Sequence, residues 1–163
     1  MSNVLIGIIG VILFIGLALA GALFLGPRFQ ESTNNSKASA SVQAVAQVAS
    51  AVNLYRVQEG KTVTDTATAD GIKAASTTYT ELVGTYLKTV PSNPTGSGVI
   101  NVATSGASKL VTMDLGTNAS AICKSIARQT TGSETLGTTY DRPSGCVVDN
   151  VSTPTKWTVY ATA

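Results

Sequence analysis

The stretch that decides the fold runs from Val4 to Leu25 and reads VLIGIIGVILFIGLALAGALFL, with no charged or polar side chain. At about 1.5 Å per residue, a helix of this length extends for roughly 33 Å, which is enough to cross the hydrocarbon core of a bilayer. The stretch is apolar on every helical face, so it must be buried on all sides, in lipid or in protein. We call it the apolar segment.

The residues before the apolar segment argue against a cleavable signal peptide. Only Met1, Ser2 and Asn3 precede it, and none of them is basic. A signal peptide has a positively charged start and a shorter apolar core. We therefore expect a permanent hydrophobic helix, and a plain single-span membrane anchor is an alternative interpretation.

The residues after the apolar segment predict an interruption. Gly26 and Pro27 follow it directly, and Arg28 is the first charged residue. Because proline has no N–H and its ring clashes with the preceding turn, we expect Gly26-Pro27 to break or kink the helix.

A second helical pattern, amphipathic this time, runs from about Lys37 to Gln58. Apolar residues recur on one face at intervals of three and four, as in a helix that packs on a core. This stripe consists of Val42, Val45, Val48 (or Ala49), Val52 and Tyr55. Gly60 is a plausible end of the helix.

The remaining sequence predicts a mixed head. A short helix is expected over Tyr79–Leu87, and a later one from a cap at Thr117 or Asn118 to about Gln129. Runs of strand-forming residues predict about four antiparallel strands, with a hairpin between the first two. These strands are expected over 98–103, 109–115, 145–149 and 156–161. The fold class is thus α+β, with predicted parts 1–27, 28–60 and 61–163.

Composition and charge exclude several function classes. Charged residues make up 12% of the chain and the net charge is +2, which is too small to indicate nucleic-acid binding. The chain has no histidine, the commonest acid–base group and metal ligand. Its nine carboxylates are scattered. We predict no catalytic, cofactor-binding or metal-binding residues, and no enzymatic activity.

The two cysteines, Cys123 and Cys146, form either one disulfide or two buried thiols. Cys123 falls on the predicted late helix and Cys146 at the start of a strand. The apolar segment sends the rest of the chain across a membrane, where an oxidising compartment favours the disulfide. That bond would staple the C-terminal segment to the sheet.

Taken in order, these features resemble type IV pilins of the IVb kind, including those of conjugative thin pili. The N-terminus MSNVLI with its apolar run resembles a mature pilin terminus. The stretch 36–56 resembles the exposed half of the pilin stalk helix. The stretch 86–94, YLKTVPSNP, is similar to the connection between stalk and sheet. The region around Cys123 and Cys146 resembles the disulfide-bounded region of these pilins.

The resemblance implies a major pilin that polymerises through its N-terminal helices, supporting adhesion, conjugation or a related surface function. It implies an N-methylated Met1 and copies of the chain as partners, after a stage in the inner membrane with an assembly platform and a prepilin peptidase. The filament would then lie outside the cell. Leu5 stands where the family usually has a glutamate. The residues expected in the filament core are Met1, Val4, Leu5, Ile8, Ile9, Ile12, Phe14, Leu17, Leu23 and Phe24.

Two other interpretations remain open from the sequence. One is a minor pilin or a pseudopilin of a secretion system, which shares the stalk but is scarce in filaments. The other is a membrane-anchored extracytoplasmic binding module that forms no filament.

Overall fold

The computed structural model describes residues 2–65, 82–96, 98–116 and 119–163. By its internal contacts the chain divides into two compact units, Met1–Asn34 (unit 1) and Asn35–Ala163 (unit 2). The division at residues 27 and 60 stays a prediction. The elements in chain order are α1 (Ser2–Glu59), β1 (Ile100–Ser105), β2 (Ser108–Asp114), α2 (Ser120–Thr131), β3 (Ser144–Val148) and β4 (Trp157–Thr162).

Helix α1 contains both of the predicted helical patterns. The break expected at Gly26-Pro27 is wrong, because the helix continues through both residues, and the kink stays a prediction. A proline removes one N–H donor, and its ring meets the carbonyl four residues earlier, here that of Leu23. The neighbouring turns keep their own hydrogen bonds, and a local bend relieves such a clash without ending a helix.

The second half of α1 provides one wall of the core of unit 2. The predicted stripe is confirmed: Val45 and Val48 are fully buried, Val52 and Tyr55 nearly so, and Val42 is half-buried. Small residues on the same face complete the wall. The buried small residues of this wall are Ala38, Ser41, Ala44, Ala49 and Ala51.

Four antiparallel strands form one sheet in the order β1-β2-β4-β3. The predicted α+β class and all four strands are therefore confirmed. Strands β1 and β2 form the expected hairpin, in which Ser105 pairs with Ser108 across Gly106 and Ala107. Gly106 has a φ of 60°, a conformation that glycine adopts without strain.

Helix α2 packs Ile122, Cys123 and Ile126 into the core, as their spacing predicted. It ends at Gly132, which is left-handed and donates its N–H to the carbonyl of Arg128 at 2.9 Å. The predicted caps Thr117 and Asn118 lie outside the described residues.

The helix predicted over Tyr79–Leu87 is wrong for its described part. Residues 82–87 form turns and an isolated bridge between Val83 and Leu87. Gly84 has a φ of 98°, which no helix tolerates, and its N–H bonds to the carbonyl of Leu87 at 2.8 Å. Residues 79–81 lie outside the described residues.

The two faces of the sheet pack differently. Trp157, Val159 and Ala161 of β4 join the main core, which also takes in the buried side chains of α1 and α2. Tyr160 points to the opposite face, where it forms a small separate cluster with Leu110 and Val147.

Candidate functional site

Among the described residues, the apolar segment forms a continuous stretch of exposed apolar surface. Every Val, Leu, Ile and Phe side chain in it is exposed, from 48% for Ile9 to 82% for Phe24. Soluble monomers rarely expose continuous apolar patches larger than a few hundred Å². The segment is therefore a surface that something must cover.

Length and composition of α1 are consistent with membrane anchoring. Within the described part of the chain, one helix is long and apolar enough to cross a membrane, and none of its most apolar stretch is buried. Signal sequences near an N-terminus can have the same length and composition.

The structure places the predicted assembly residues together on α1, except Met1, which lies outside the described residues. All the others are exposed, and they are distributed around the helix instead of along one stripe. They are Val4, Leu5, Ile8, Ile9, Ile12, Phe14, Leu17, Leu23 and Phe24.

The glycines of unit 1 leave this surface without a side chain at five positions. A Cβ atom added at Gly7, Gly10, Gly16, Gly21 or Gly26 would meet no atom within 4 Å. None of these positions is therefore needed for packing within the chain. Small residues at a helix surface let another helix approach closely.

A pair of charges lies just beyond the apolar segment. Arg28 and Glu31 approach each other at 3.8 Å between Nη1 and Oε2, with side chains 79% and 50% exposed. They are the only charged side chains among residues 1–34. Exposed pairs of this kind contribute about 0–1 kcal/mol.

Unit 2 contains the predicted disulfide. Cys123 on α2 and Cys146 on β3 are bonded, with their Cα atoms 5.5 Å apart. Cys146 pairs with Val159, so the bond ties α2 to the strand that covers the edge of β4. It closes a loop over a sequence separation of 23.

Unit 2 contains an ion pair between a buried lysine and an exposed aspartate that the sequence did not indicate. Lys109, 9% exposed, donates to Asp65 Oδ1 at 2.5 Å and to Thr104 Oγ1 at 2.9 Å. The hydrogen bond from Lys109 is the main cause that lowers the pKa of Asp65. Because 44 residues separate the partners, no local pattern could reveal the pair. It fastens the chain that follows α1 to the β1–β2 hairpin.

A cleft of about 330 Å³ lies between the end of α2 and β3. Its hydroxyls at Thr130 and Thr131 donate back to carbonyls of α2. Within the described ranges no three His, Cys, Asp or Glu side chains come together as metal ligands. The cleft offers no acid–base pair at hydrogen-bond distance, whereas the apolar segment has a clear physical need for a partner.

Comparison with known proteins adds no relative: no protein-family model, no curated protein and no solved structure matches the chain.

Proposed function

We propose that the chain is the major subunit of a type IV pilus of the IVb kind, an extracellular filament held together by bundled N-terminal helices. The long apolar N-terminal helix, the small antiparallel sheet and the disulfide fit a pilin-like fold. The finer assignment rests on the surface that this arrangement leaves uncovered.

The observation that carries the proposal is the exposure of the apolar segment on all sides of α1. Burial of each large apolar side chain contributes about 1.5–3 kcal/mol. For the whole segment this amounts to tens of kcal/mol before the cost of ordering the chains. Lipid covers the segment before assembly, and copies of the same segment cover it in the filament.

The contrast with the rest of α1 supports a polymer over a soluble partner. The second half of the helix already packs into unit 2, so each copy carries its own folded head. The first half has no partner in the chain and is apolar all round, as in helices surrounded by other helices. Open glycines at the helix surface allow close approach of neighbouring copies.

The proposal includes partners and a location. The chain first lies in the inner membrane, where a prepilin peptidase processes it, and an assembly platform then extracts it. Met1 is the N-methylated terminus, and Leu5 replaces the usual glutamate. The finished filament lies outside the cell and serves adhesion, conjugation or a related surface function.

Electron microscopy of sheared surface material, with mass spectrometry of the collected protein, tests the proposal. We expect thin filaments composed almost wholly of this chain, with a methylated Met1. A matched preparation from cells that lack the chain is the control, and it should contain no such filaments.

Two other outcomes would contradict the proposal and identify the alternative. Filaments that contain the chain only in traces would indicate a minor pilin or a pseudopilin. A chain that stays in the membrane fraction of cells, without filaments, would indicate an anchored binding module.

A further inference from the structure

We propose that Arg28 of one copy pairs with Glu31 of a neighbouring copy, and that this pair sets the axial offset between packed helices. The inference rests on the proposed function, because it concerns contacts between copies in a filament. The partner at this surface is a second copy of the chain, and the contact is an ion pair.

The apolar segment by itself does little to fix the axial offset between neighbouring helices. Residues 4–25 carry no polar side chain that must meet a partner at one height. Hydrophobic burial is non-directional and depends mainly on the area covered. Helices that slide past each other by a turn would bury similar area. In helical bundles, single polar or charged groups specify register.

Arg28 is placed to be such a group. Only Gly26 and Pro27 separate it from the apolar segment. When copies bundle over that segment, the Arg28 guanidinium comes to lie at the margin of the buried region. A guanidinium carries five N–H donors, and leaving a partly buried charge without a partner is unfavourable.

The pairing within one chain does not satisfy this need. The 3.8 Å separation from Glu31 is longer than the 2.7–2.9 Å of a charge-assisted hydrogen bond. Among the residues that the structure describes, Arg28 donates no hydrogen bond, and its side chain is 79% exposed. The guanidinium is thus available to an acceptor from outside the chain.

Glu31 of another copy has the charge and the position that Arg28 requires. It is the only carboxylate among residues 1–34. The two positions are three apart in the sequence, which is about 4.5 Å along the helix axis. Parallel copies that pair these groups must therefore be displaced along the axis. Each copy uses Arg28 towards one neighbour and Glu31 towards another, so the contact is heterologous and propagates as an open helix.

Charge reversal in the full chain tests the pair. The chains compared are Arg28→Glu alone, Glu31→Arg alone, both substitutions on one chain, and the two single variants co-expressed. The readout is the yield of sheared filaments relative to the unchanged chain. Membrane abundance of each variant is measured in parallel. Lys88→Glu, at an exposed position in unit 2, is the control for a charge reversal of the same size.

We expect each single variant to reach the membrane normally but to lose filament yield at least tenfold, because like charges then face each other between copies. Co-expression should restore filaments that contain both chains, since one chain then carries two carboxylates at these positions and the other two guanidinium groups. The doubly substituted chain should also assemble, and Lys88→Glu should leave the yield unchanged.

Several results would overturn the pairing. Normal yields from both single variants would show that these charges do not meet. Rescue by the double variant without rescue on co-expression would place the pair within one chain, and failure of both would show that these positions serve another contact. Absence of filaments from the unchanged chain would instead contradict the proposed function, and with it this inference.

Discussion

The two halves of α1 share one helix but differ in how the chain uses them. The first half is the most apolar part of the molecule, yet its large side chains are at least 48% exposed. The second half contains fewer large apolar residues, yet Val45 and Val48 are fully buried. The more hydrophobic half is therefore the more exposed one.

The difference lies in periodicity and not in hydrophobicity. Residues 38–55 carry no charge, and their larger polar side chains, such as Gln43 and Gln47, lie on the exposed side, although the small Ser41 is buried on the other. That leaves a single apolar stripe, which one sheet can cover. The apolar segment has no polar side, so a single sheet cannot cover it. Such a helix requires neighbours on every side.

The largest effect we expect comes from placing one acidic residue in each half. Val48→Asp puts a carboxylate into the core of unit 2 and should destabilise that unit by roughly 4 kcal/mol or more. Leu17→Asp should leave the stability of unit 2 unchanged in detergent, because Leu17 is 74% exposed. In a membrane it should oppose insertion by about 2.5–3.5 kcal/mol.

Urea unfolding in detergent, followed by tryptophan fluorescence, measures this prediction. The chain has a single tryptophan, Trp157, and it is buried in unit 2. Gln47→Asp, one residue before Val48 but exposed, is the matched control and should not shift the midpoint. If Leu17→Asp lowers the midpoint as much as Val48→Asp, the apolar segment contributes to the core and the comparison fails.

A smaller effect, again confined to unit 2, should follow removal of the disulfide. Loop-closure entropy for a separation of 23 predicts that Cys123→Ala with Cys146→Ala destabilises the unit by about 3.4 kcal/mol. Reduction of the unchanged chain should give a similar shift in the Trp157 midpoint. In detergent, the helical circular-dichroism signal that remains after unit 2 has unfolded should be the same with and without the bond. An unchanged midpoint would mean that the core holds α2 on the sheet without it.

Much of this division was predictable from the sequence, because it depends on local patterns. The apolar segment, the stripe from Val42 to Tyr55 and the four strands all follow from residue types at short spacing. The pairing of Cys123 with Cys146 followed from there being two cysteines and a segment that can cross a membrane. In unit 1 the predicted assembly residues that the structure describes are exposed, and their role in a filament stays a prediction.

Other features depend on contacts or backbone angles that no local pattern reveals. The strand order places β4 between β2 and β3, and only packing determines it. The pair of Lys109 with Asp65 joins distant positions. Gly84 adopts a left-handed angle inside an apparent helical pattern. Pro27 shows the converse error, since α1 passes through a residue that usually ends helices.

The smallest effect that we expect is a loss of stability in acid, and it should be confined to unit 2. Asp149, in the loop between β3 and β4, accepts hydrogen bonds from the Thr155 hydroxyl and from the N–H groups of Thr155 and Lys156. The Thr155 hydroxyl is the main cause that holds the pKa of Asp149 well below its ordinary value of 3.8. The apolar segment contains no titratable side chain.

The sign of the acid effect follows from that shift. A carboxyl whose pKa is lower in the folded state stabilises the fold above the pKa of the unfolded chain, and this stabilisation is lost as the pH falls towards the folded value. Asp149→Asn should therefore lower the Trp157 midpoint slightly at pH 7, and the difference from the unchanged chain should shrink below about pH 4. Urea titrations at pH 7, 5, 4 and 3 measure it. A difference that stays constant across this range would show that the charge of Asp149 does not cause it, and a midpoint that is unchanged at pH 7 would show that an amide serves the N–H donors equally well.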